Sequence, residues 1–380
     1  MLLEFSVAGY MSFGSLETIV FSAFDKQRIK STRYESNYML DTPFREAKSV
    51  LVFGNNATGK TNLILAIQDY LNIIKTGKLI RNGKLFNLHA EDMTFKGTVS
   101  TASGDAPHYF TYSINFSKMG EVLKEELLKD DECIFAFDNE KLTSEYIKLE
   151  VCTIYSRPST GALLDKLRDF IPEVYQEFIA CIDSIEVHTD VAISDKHSEI
   201  LLDDYSKTLI EANKELSLEI LHSIDNTIED IGFVPVRSTD ETVLYDALIS
   251  RKQNDGVVNE YSLQMEAKGV KKIVNLLKAF LHLYDGRVIL VDELDSSIST
   301  KSLILLYNRI VNSEENKRGQ LVVTSHNLSL LTLSMFAPEQ LYVAVKDDMT
   351  WTRLYSLAEF DLRSNKKNLE KIYLEGGFEK

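Results

Sequence analysis

The sequence has few cysteines and no long apolar run. Its 380 residues include three cysteines, Cys133, Cys152 and Cys181, which form no CxxC pair and have no clustered histidines nearby. We therefore expect reduced, buried thiols and no zinc site. No segment approaches 18 uncharged apolar residues, so none is predicted to span a membrane. Residues 1–21 lack the basic start of a signal peptide, and together these absences predict a cytoplasmic protein.

Positive charge is also scarce. The 42 Lys and Arg residues are outnumbered by 57 Asp and Glu, which gives a formal net charge of -15. A surface this acidic does not attract nucleic acid over its whole extent. A nucleic-acid contact would need a local basic patch, such as the clusters at 75–84 and 268–272, or a partner protein. The composition, 44% hydrophobic and 26% charged, is typical of a globular chain.

A glycine-rich loop follows an apolar segment near the N-terminus. Ser49–Phe53 reads as a buried strand, and the next eight residues fit the pattern G-x-x-x-x-G-K-[ST]. In this pattern the backbone N–H groups and the start of the following helix hold phosphates. Lys60 would reach the β- and γ-phosphates, and the Thr61 hydroxyl would hold Mg²⁺. The predicted binding residues are Gly54, Asn55, Asn56, Ala57, Thr58, Gly59, Lys60, Thr61 and Asn62. The alternative is a glycine-rich turn without a ligand.

Two later apolar segments deliver polar residues to the same sheet edge. Val288–Val291 is followed by Asp292 and Glu293, and 321–324 is followed by Ser325 and His326. In α/β folds, ligands bind at the carboxyl ends of such strands. Asp292 would join the Mg²⁺ shell, and Glu293 would act as general base toward water. His326 would contact the γ-phosphate.

These elements, in this order, resemble the ABC ATPase superfamily, and within it the SMC-like heads of DNA-repair and phage-defence ATPases. In that resemblance 54–61 is Walker A, 290–293 is Walker B, 295–298 is the D-loop and His326 is the switch histidine. The fold implied is an α/β ATPase head of the ABC/SMC type. Such a head is a P-loop domain with a mostly parallel core sheet and an antiparallel β-layer, here with a small helical insertion. The implied ligands are ATP and Mg²⁺.

The resemblance also implies a signature loop before Walker B. The candidate is 266–272, which opens a helix predicted at Val270–Leu283, and its Lys268 and Gly269 would reach the γ-phosphate of an opposite subunit. The chain would then form a homodimer, or a higher homo-oligomer, that sandwiches ATP. Ala267 stands where the family usually has Ser, which favours slow turnover.

The N-terminal turn departs from the family as well. Met11 stands where an Arg is frequent. Tyr10 and Phe13 on either side of it would stack on adenine or pack in the core.

We predict three parts for the chain. Residues 1–155 carry Walker A, 156–255 form a mainly helical insertion or lid, and 256–380 carry the signature, Walker B and switch histidine. Within this plan we expect a strand at Tyr146–Ile154, a polar connection at Ile185–Asp203 and a long helix at Tyr205–Ile231. The sequence contains no sustained heptad repeat, so no coiled-coil arm is predicted.

The C-terminal segments 354–357 and 368–376 resemble the tails of small bacterial ATPases of the abortive-infection and OLD-like group, here without a TOPRIM nuclease domain. That resemblance implies an ATP-hydrolysing switch subunit that controls a separate effector, a nuclease or other toxin, in anti-phage defence. Two alternatives stay open. One is an SMC-like DNA-repair ATPase that binds DNA directly, and the other is a scaffold that binds ATP and hardly turns it over.

Overall fold

A computed structural model provides the structure of the chain. It describes residues 1–23, 29–79, 85–101, 107–189, 199–238, 242–252, 256–360 and 369–378. Part of the predicted basic cluster at 75–84 therefore lies outside the described residues. No helix in the described ranges is long and apolar enough to cross a membrane.

A six-stranded sheet forms the centre of the described chain. Its strands are parallel except for the last pair, β16 and β17, which is antiparallel. In spatial order they are β17 (Thr352–Ser356), β16 (Leu341–Lys346), β3 (Ser49–Phe53), β15 (Gln320–Ser325), β14 (Val288–Val291) and β9 (Ile185–His188). This is the mostly parallel core sheet that the sequence predicts.

A seven-stranded antiparallel sheet forms a second layer. Its order is β2 (Glu17–Val20), β1 (Leu2–Ala8), β4 (Asp92–Ser100), β5 (Tyr109–Ser117), β6 (Val122–Lys129), β7 (Glu132–Asp138) and β8 (Lys141–Thr143). The N-terminal strands open this layer, as expected. A smaller antiparallel sheet is made of β10 (Leu202–Asp203), β12 (Val243–Lys252) and β11 (Ile228–Ser238), with β13 (Val258–Ser262) also paired to β12.

Helices pack around these three sheets. They are α1 (Lys60–Thr76), α2 (Leu149–Tyr155), α3 (Leu163–Leu167), α4 (Pro172–Asp183), α5 (Asp204–Ala212), α6 (Lys214–Ile224), α7 (Lys268–Tyr284), α8 (Thr300–Leu306) and α9 (Leu369–Leu374). The signature helix is thus present as α7, two residues longer at its start than predicted.

The central sheet separates two apolar layers. Along β3, Val50 and Val52 belong to the cluster shared with α1 and the seven-stranded sheet, whereas Leu51 and Phe53 belong to the cluster shared with α7 and α8. Successive strand side chains point to opposite faces, so a strand buried on both faces must be apolar throughout. This explains the unbroken apolar runs from which the core strands were predicted.

Two predicted segments have different secondary structure. The strand expected at Tyr146–Ile154 is helix α2, which buries Cys152 and packs beside the three-residue edge strand β8, as helices often do at sheet edges. The single helix expected at Tyr205–Ile231 is α5, α6 and the start of β11. Asn213 joins the two helices, and Asp225 ends the second by accepting from the Thr227 N–H at 3.0 Å, a local bond that competes with the helix.

Three further expectations are met only in part. The segment Ile185–Asp203 is not only a connection, because it begins with β9 and ends with β10, while its residues 190–198 lie outside the described part of the chain. The interval 156–255 contains strands as well as helices. Cys133 is exposed on β7 rather than buried, whereas Cys152 and Cys181 are buried thiols as expected.

Candidate functional site

The glycine-rich loop joins β3 to α1 in a conformation that its sequence permits. Gly59 has a φ of 103°, and Ala57 has a φ of 65°. A Cβ at Gly59 would lie 2.0 Å from Thr352 Oγ1 and 2.7 Å from Ser12 Oγ. Glycine is therefore required there both by the backbone angle and by the space.

Lys60 is the first residue of α1, and its side chain folds back over the loop. Its Nζ donates to the carbonyl oxygens of Gly54 at 2.8 Å and Asn55 at 2.9 Å. Burial lowers the pKa of this ammonium, and the carboxylates of Glu293 and Asp292 partly oppose that shift. The cation is thus held at the mouth of the loop, beside the acidic pair.

The polar residues after β3, β14 and β15 meet in one hydrogen-bonded group. Thr61 Oγ1 donates to Asp292 Oδ2 at 2.8 Å. The Thr324 hydroxyl donates to the other oxygen of Asp292 and accepts from the Glu293 N–H at 2.8 Å. Glu293 has a φ of 49°, at the turn that follows β14. The carboxyl ends of three neighbouring parallel strands thus bring these residues together, where ligands bind in α/β folds.

A cleft of about 490 Å³ lies over this group. Its lining includes Lys60, Thr61, Glu293 and His326, together with Asn56, Ala57, Gly59 and Asn62. The His326 ring is half exposed, and its Nδ1 lies 3.5 Å from Asp295 Oδ2. The predicted Lys60 and Thr61 therefore lie beside the predicted Glu293 and His326, although more than 200 residues separate the two pairs in the sequence.

The oxygen atoms of Thr61 and Asp292 suit Mg²⁺ as ligands. A threonine hydroxyl and one carboxylate are hard oxygen ligands, and Mg²⁺ usually takes one or two carboxylates together with substrate phosphates and water. Thr61 and Asp292 already touch each other. The described residues hold no group of three or more His, Cys, Asp or Glu that could bind a metal by themselves.

The signature candidates lie elsewhere on the same chain. Lys268 is the exposed first residue of α7, and neither it nor Gly269 lines the cleft. Gly269 is buried, and a Cβ there would lie 2.6 Å from the Ser297 carbonyl oxygen of the D-loop. The first-turn N–H groups of α7 have no partner within the helix.

A lysine in the second turn of α7 contacts the backbone of the acidic pair. Lys272 Nζ donates to the Glu293 carbonyl oxygen at 2.6 Å and to the Ser296 hydroxyl. Helix α7, which the signature candidate begins, and the turn after β14 are thus connected within one chain.

The N-terminal turn contributes a residue that the sequence analysis passed over. Ser12 Oγ accepts from the Asn62 amide at 2.8 Å and lies 2.7 Å from Thr352 Oγ1, and Thr352 donates to the Thr58 carbonyl oxygen at 2.7 Å. Ser12 and Thr352 are 340 positions apart, so no local pattern could identify them. Tyr10 and Phe13 are fully buried, so they pack in the core rather than offer their rings to adenine.

A family model described as "AAA domain, putative AbiEii toxin, Type IV TA system" matches residues 49–332. The match begins at the first residue of β3 and ends after His326, so it covers the loop, the acidic pair and the histidine. No curated protein matches the chain.

Solved structures of SMC heads align with this chain. The Smc head in a crystal structure with the C-terminal winged-helix domain of ScpA aligns with a TM-score of 0.50 at 12% identity, covering 96% of this chain and 98% of that one. The SMC head domain from Thermotoga maritima aligns with a TM-score of 0.45 at 14% identity, covering 93% and 98%. An Smc head with a coiled coil and joint from Pyrococcus yayanosii gives 0.49 at 10% identity, covering 99% of both chains.

Proposed function

This chain belongs to the AAA-domain family whose description names the AbiEii toxin and a type IV TA system, and we propose that it binds and hydrolyses ATP with Mg²⁺. The observation that carries the proposal is the single cleft that Lys60, Thr61, Glu293 and His326 share. A phosphate loop at a helix N-terminus, a hydroxyl–carboxylate pair and a carboxylate that lines the cleft are the parts that phosphoryl transfer to water requires.

Each side chain has a distinct task in this proposal. Lys60 leaves the loop carbonyls and neutralises the β- and γ-phosphates. Thr61 and Asp292 would hold Mg²⁺, which would supply charge neutralisation on the phosphates. Glu293 accepts a hydrogen bond from the attacking water and polarises it, while His326 donates to the γ-phosphate.

The proposal extends to two subunits. Lys268 and Gly269 lie outside the cleft of their own chain, and an N-terminal helix end attracts anions. In a two-fold dimer, α7 of each chain would close the cleft of the other over the γ-phosphate. Loss of that phosphate on hydrolysis would remove the contact, so ATP and ADP would favour different states.

The test is Glu293→Gln. The amide keeps the size of the carboxylate and loses its basicity, so phosphate release should fall by about 10²–10⁴-fold while ATP still binds. We expect the variant to accumulate as a dimer with ATP, measured by light scattering after size exclusion. Glu121→Gln, an exposed residue before β6, is the matched control.

Two results would contradict the proposal. Equal and near-zero phosphate release from the native protein and Glu293→Gln would favour a scaffold that holds ATP, a reading kept open by Ala267. Absence of ATP binding in the native protein would remove the nucleotide site itself.

We further propose that the ATP-bound dimer controls a separate effector, a nuclease or other toxin, in anti-phage defence. The support is the family's description, which names a toxin and a type IV TA system, and the resemblance of the C-terminal tail. Co-purification of the untagged neighbouring gene product with tagged Glu293→Gln in ATP would support this role. Salt-sensitive binding of the same dimer to duplex DNA, without a protein partner, would favour the DNA-repair reading instead.

A further inference from the structure

The C-terminal helix α9 lies against the start of the phosphate loop. The Tyr373 hydroxyl accepts a hydrogen bond from the Asn55 backbone N–H at 3.0 Å. Its ring packs edge to face on Phe53, with ring centroids 4.8 Å apart and an angle of 85° between the rings. One side chain from the end of the chain therefore touches both the last residue of β3 and the second residue of the loop.

Apolar anchors on both sides of Tyr373 hold it there. Leu369, at the start of α9, is 4% exposed, and Phe378, just after the helix, is 1% exposed. The Phe378 ring packs edge to face on Phe360 at 5.0 Å, and the Gly377 N–H donates to the Ile372 carbonyl oxygen at 2.8 Å. The docking of α9 on the head thus has its own apolar support, and the hydroxyl contact is an addition to it.

The loop holds Lys60 through Gly54 and Asn55, and the Gly54 carbonyl oxygen, which accepts from Lys60 Nζ at 2.8 Å, shares a peptide group with the Asn55 N–H. The Asn55 carbonyl oxygen accepts from Lys60 Nζ at 2.9 Å and from Thr58 Oγ1 at 2.9 Å. Its backbone N–H is the group that Tyr373 engages. A backbone group with bonds on both sides has few orientations left, so the hydroxyl of Tyr373 restricts the backbone of the phosphate loop. The N–H groups of that loop would receive the phosphates once Lys60 has left the loop carbonyls.

We propose that Tyr373 is a positioning residue of the nucleotide site, acting through the Asn55 peptide on the phosphate loop and Lys60. The inference rests on the proposed ATP binding and adds the C-terminal helix to that site. Because coupling between two events is reciprocal, a nucleotide that prefers the ordered loop must also stabilise the docked α9.

The test is Tyr373→Phe, which keeps the ring on Phe53 and removes only the hydroxyl. Loss of one hydrogen bond to a backbone N–H should weaken ATP binding by about 3–10-fold, measured by titration with a fluorescent ATP analogue and Mg²⁺. The KM for ATP should rise by a similar factor with kcat changed less. The control is Tyr284→Phe, which removes a hydroxyl that donates to the Ile310 carbonyl oxygen at 3.1 Å in the α7 region.

A second measurement uses the native protein. Hydrogen exchange of the 369–378 segment should slow when ATP and Mg²⁺ are added, and Lys60→Ala should abolish that protection. Thermal melting of each variant separates a folding defect from a binding defect, because a purely structural role would lower the melting temperature of Tyr373→Phe without changing its affinity for ATP.

The outcomes are distinct. Weaker binding by Tyr373→Phe alone, with protection of the tail by ATP, supports the inference. Native-like affinity of Tyr373→Phe, or exchange of the tail that ignores bound ATP, overturns it and leaves the proposed function intact. Failure of the native protein to bind the ATP analogue overturns both.

Discussion

At the scale of single residues, Thr324 links the two halves of the acidic pair. Its hydroxyl donates to Asp292 and accepts from the Glu293 N–H at 2.8 Å. It touches neither the phosphate loop nor the lysine in the contacts described. Groups that orient metal ligands typically matter almost as much as the ligands themselves, so this buried threonine should set the orientation of the Asp292 carboxylate and of the Glu293 backbone.

Thr324→Val tests that role, since valine has nearly the same shape and no hydroxyl. We expect the rate of ATP hydrolysis to fall by about 10–100-fold, with a higher Mg²⁺ requirement and a smaller change in ATP affinity. Phosphate release measured against Mg²⁺ concentration checks this. Thr98→Val in β4, where the hydroxyl lies 3.0 Å from that of Thr111, is the control. A native Mg²⁺ profile in Thr324→Val would show that the hydroxyl only supports packing.

The sequence predicts some site residues far better than others. Lys60 and Thr61 are recognisable because the strand, loop and helix that position them are contiguous in the chain. Ser12 and Thr352 support the same loop from distant parts of the chain, so their contacts exist only after the sheets have assembled. Thr324 reads locally as one more β-branched strand residue, and its partners are supplied by the neighbouring strand.

At the scale of elements, the start of α3 is held by a buried carboxylate. Glu125 of β6 accepts from the N–H groups of Leu163 at 2.6 Å and Leu164 at 2.7 Å, and from the Tyr112 hydroxyl at 3.0 Å. Burial raises the pKa of Glu125 to about 7, although these hydrogen bonds oppose the shift. The helix and the seven-stranded sheet are therefore joined by a group that can change its charge near neutral pH.

The buried Glu125 carboxyl group predicts that the stability of the protein depends on pH. The folded protein holds the Glu125 proton more tightly than the unfolded chain, whose glutamates titrate at about 4.3. The stabilisation is complete below that pH and is lost as the pH rises through about 7. Relative to Glu125→Gln, the native protein should lose about 2 kcal/mol, or a few degrees of melting temperature, between pH 5 and pH 8.

The control for this prediction is Glu126→Gln, the partly exposed neighbour on the opposite face of β6. Its melting temperature should follow the native pH profile, whereas that of Glu125→Gln should be flatter. Parallel profiles for the native protein and Glu125→Gln would mean that the carboxyl stays in one protonation state throughout this range.

Some of the elements that the sequence mispredicts are short ones at sheet edges. β9 reads Ile-Glu-Val-His, a polar alternation of four residues, and becomes a strand because it pairs with β14. Glu186 on β9 then meets His282 of α7 at 2.6 Å and Arg287 at 2.9 Å. Burial would raise the pKa of Glu186, but His188, His282 and Arg287 together lower it to about 2. These contacts involve partners about 100 residues away in the sequence, so local propensity does not predict them.

At the scale of the whole molecule, the central sheet separates the phosphate loop from the signature candidate. The phosphate loop begins α1, which packs in one apolar layer, and the signature candidate begins α7, which packs in the other. A single chain therefore presents a cleft and a helix tip at separate places. Two copies related by a two-fold axis would each use the cleft of one chain and the tip of its mate.

Subunit mixing tests this arrangement directly. Lys60→Ala should remove ATP binding in its own cleft, and Lys268→Glu should repel the γ-phosphate in the cleft of its mate. Each variant alone should be inactive. In a mixed dimer, one cleft has both a native Lys60 and a native Lys268, so an equimolar mixture should recover about a quarter of native phosphate release. Both substitutions placed on one chain and mixed with native protein provide the control. If the signature instead acted within its own chain, the mixture of single variants would stay inactive.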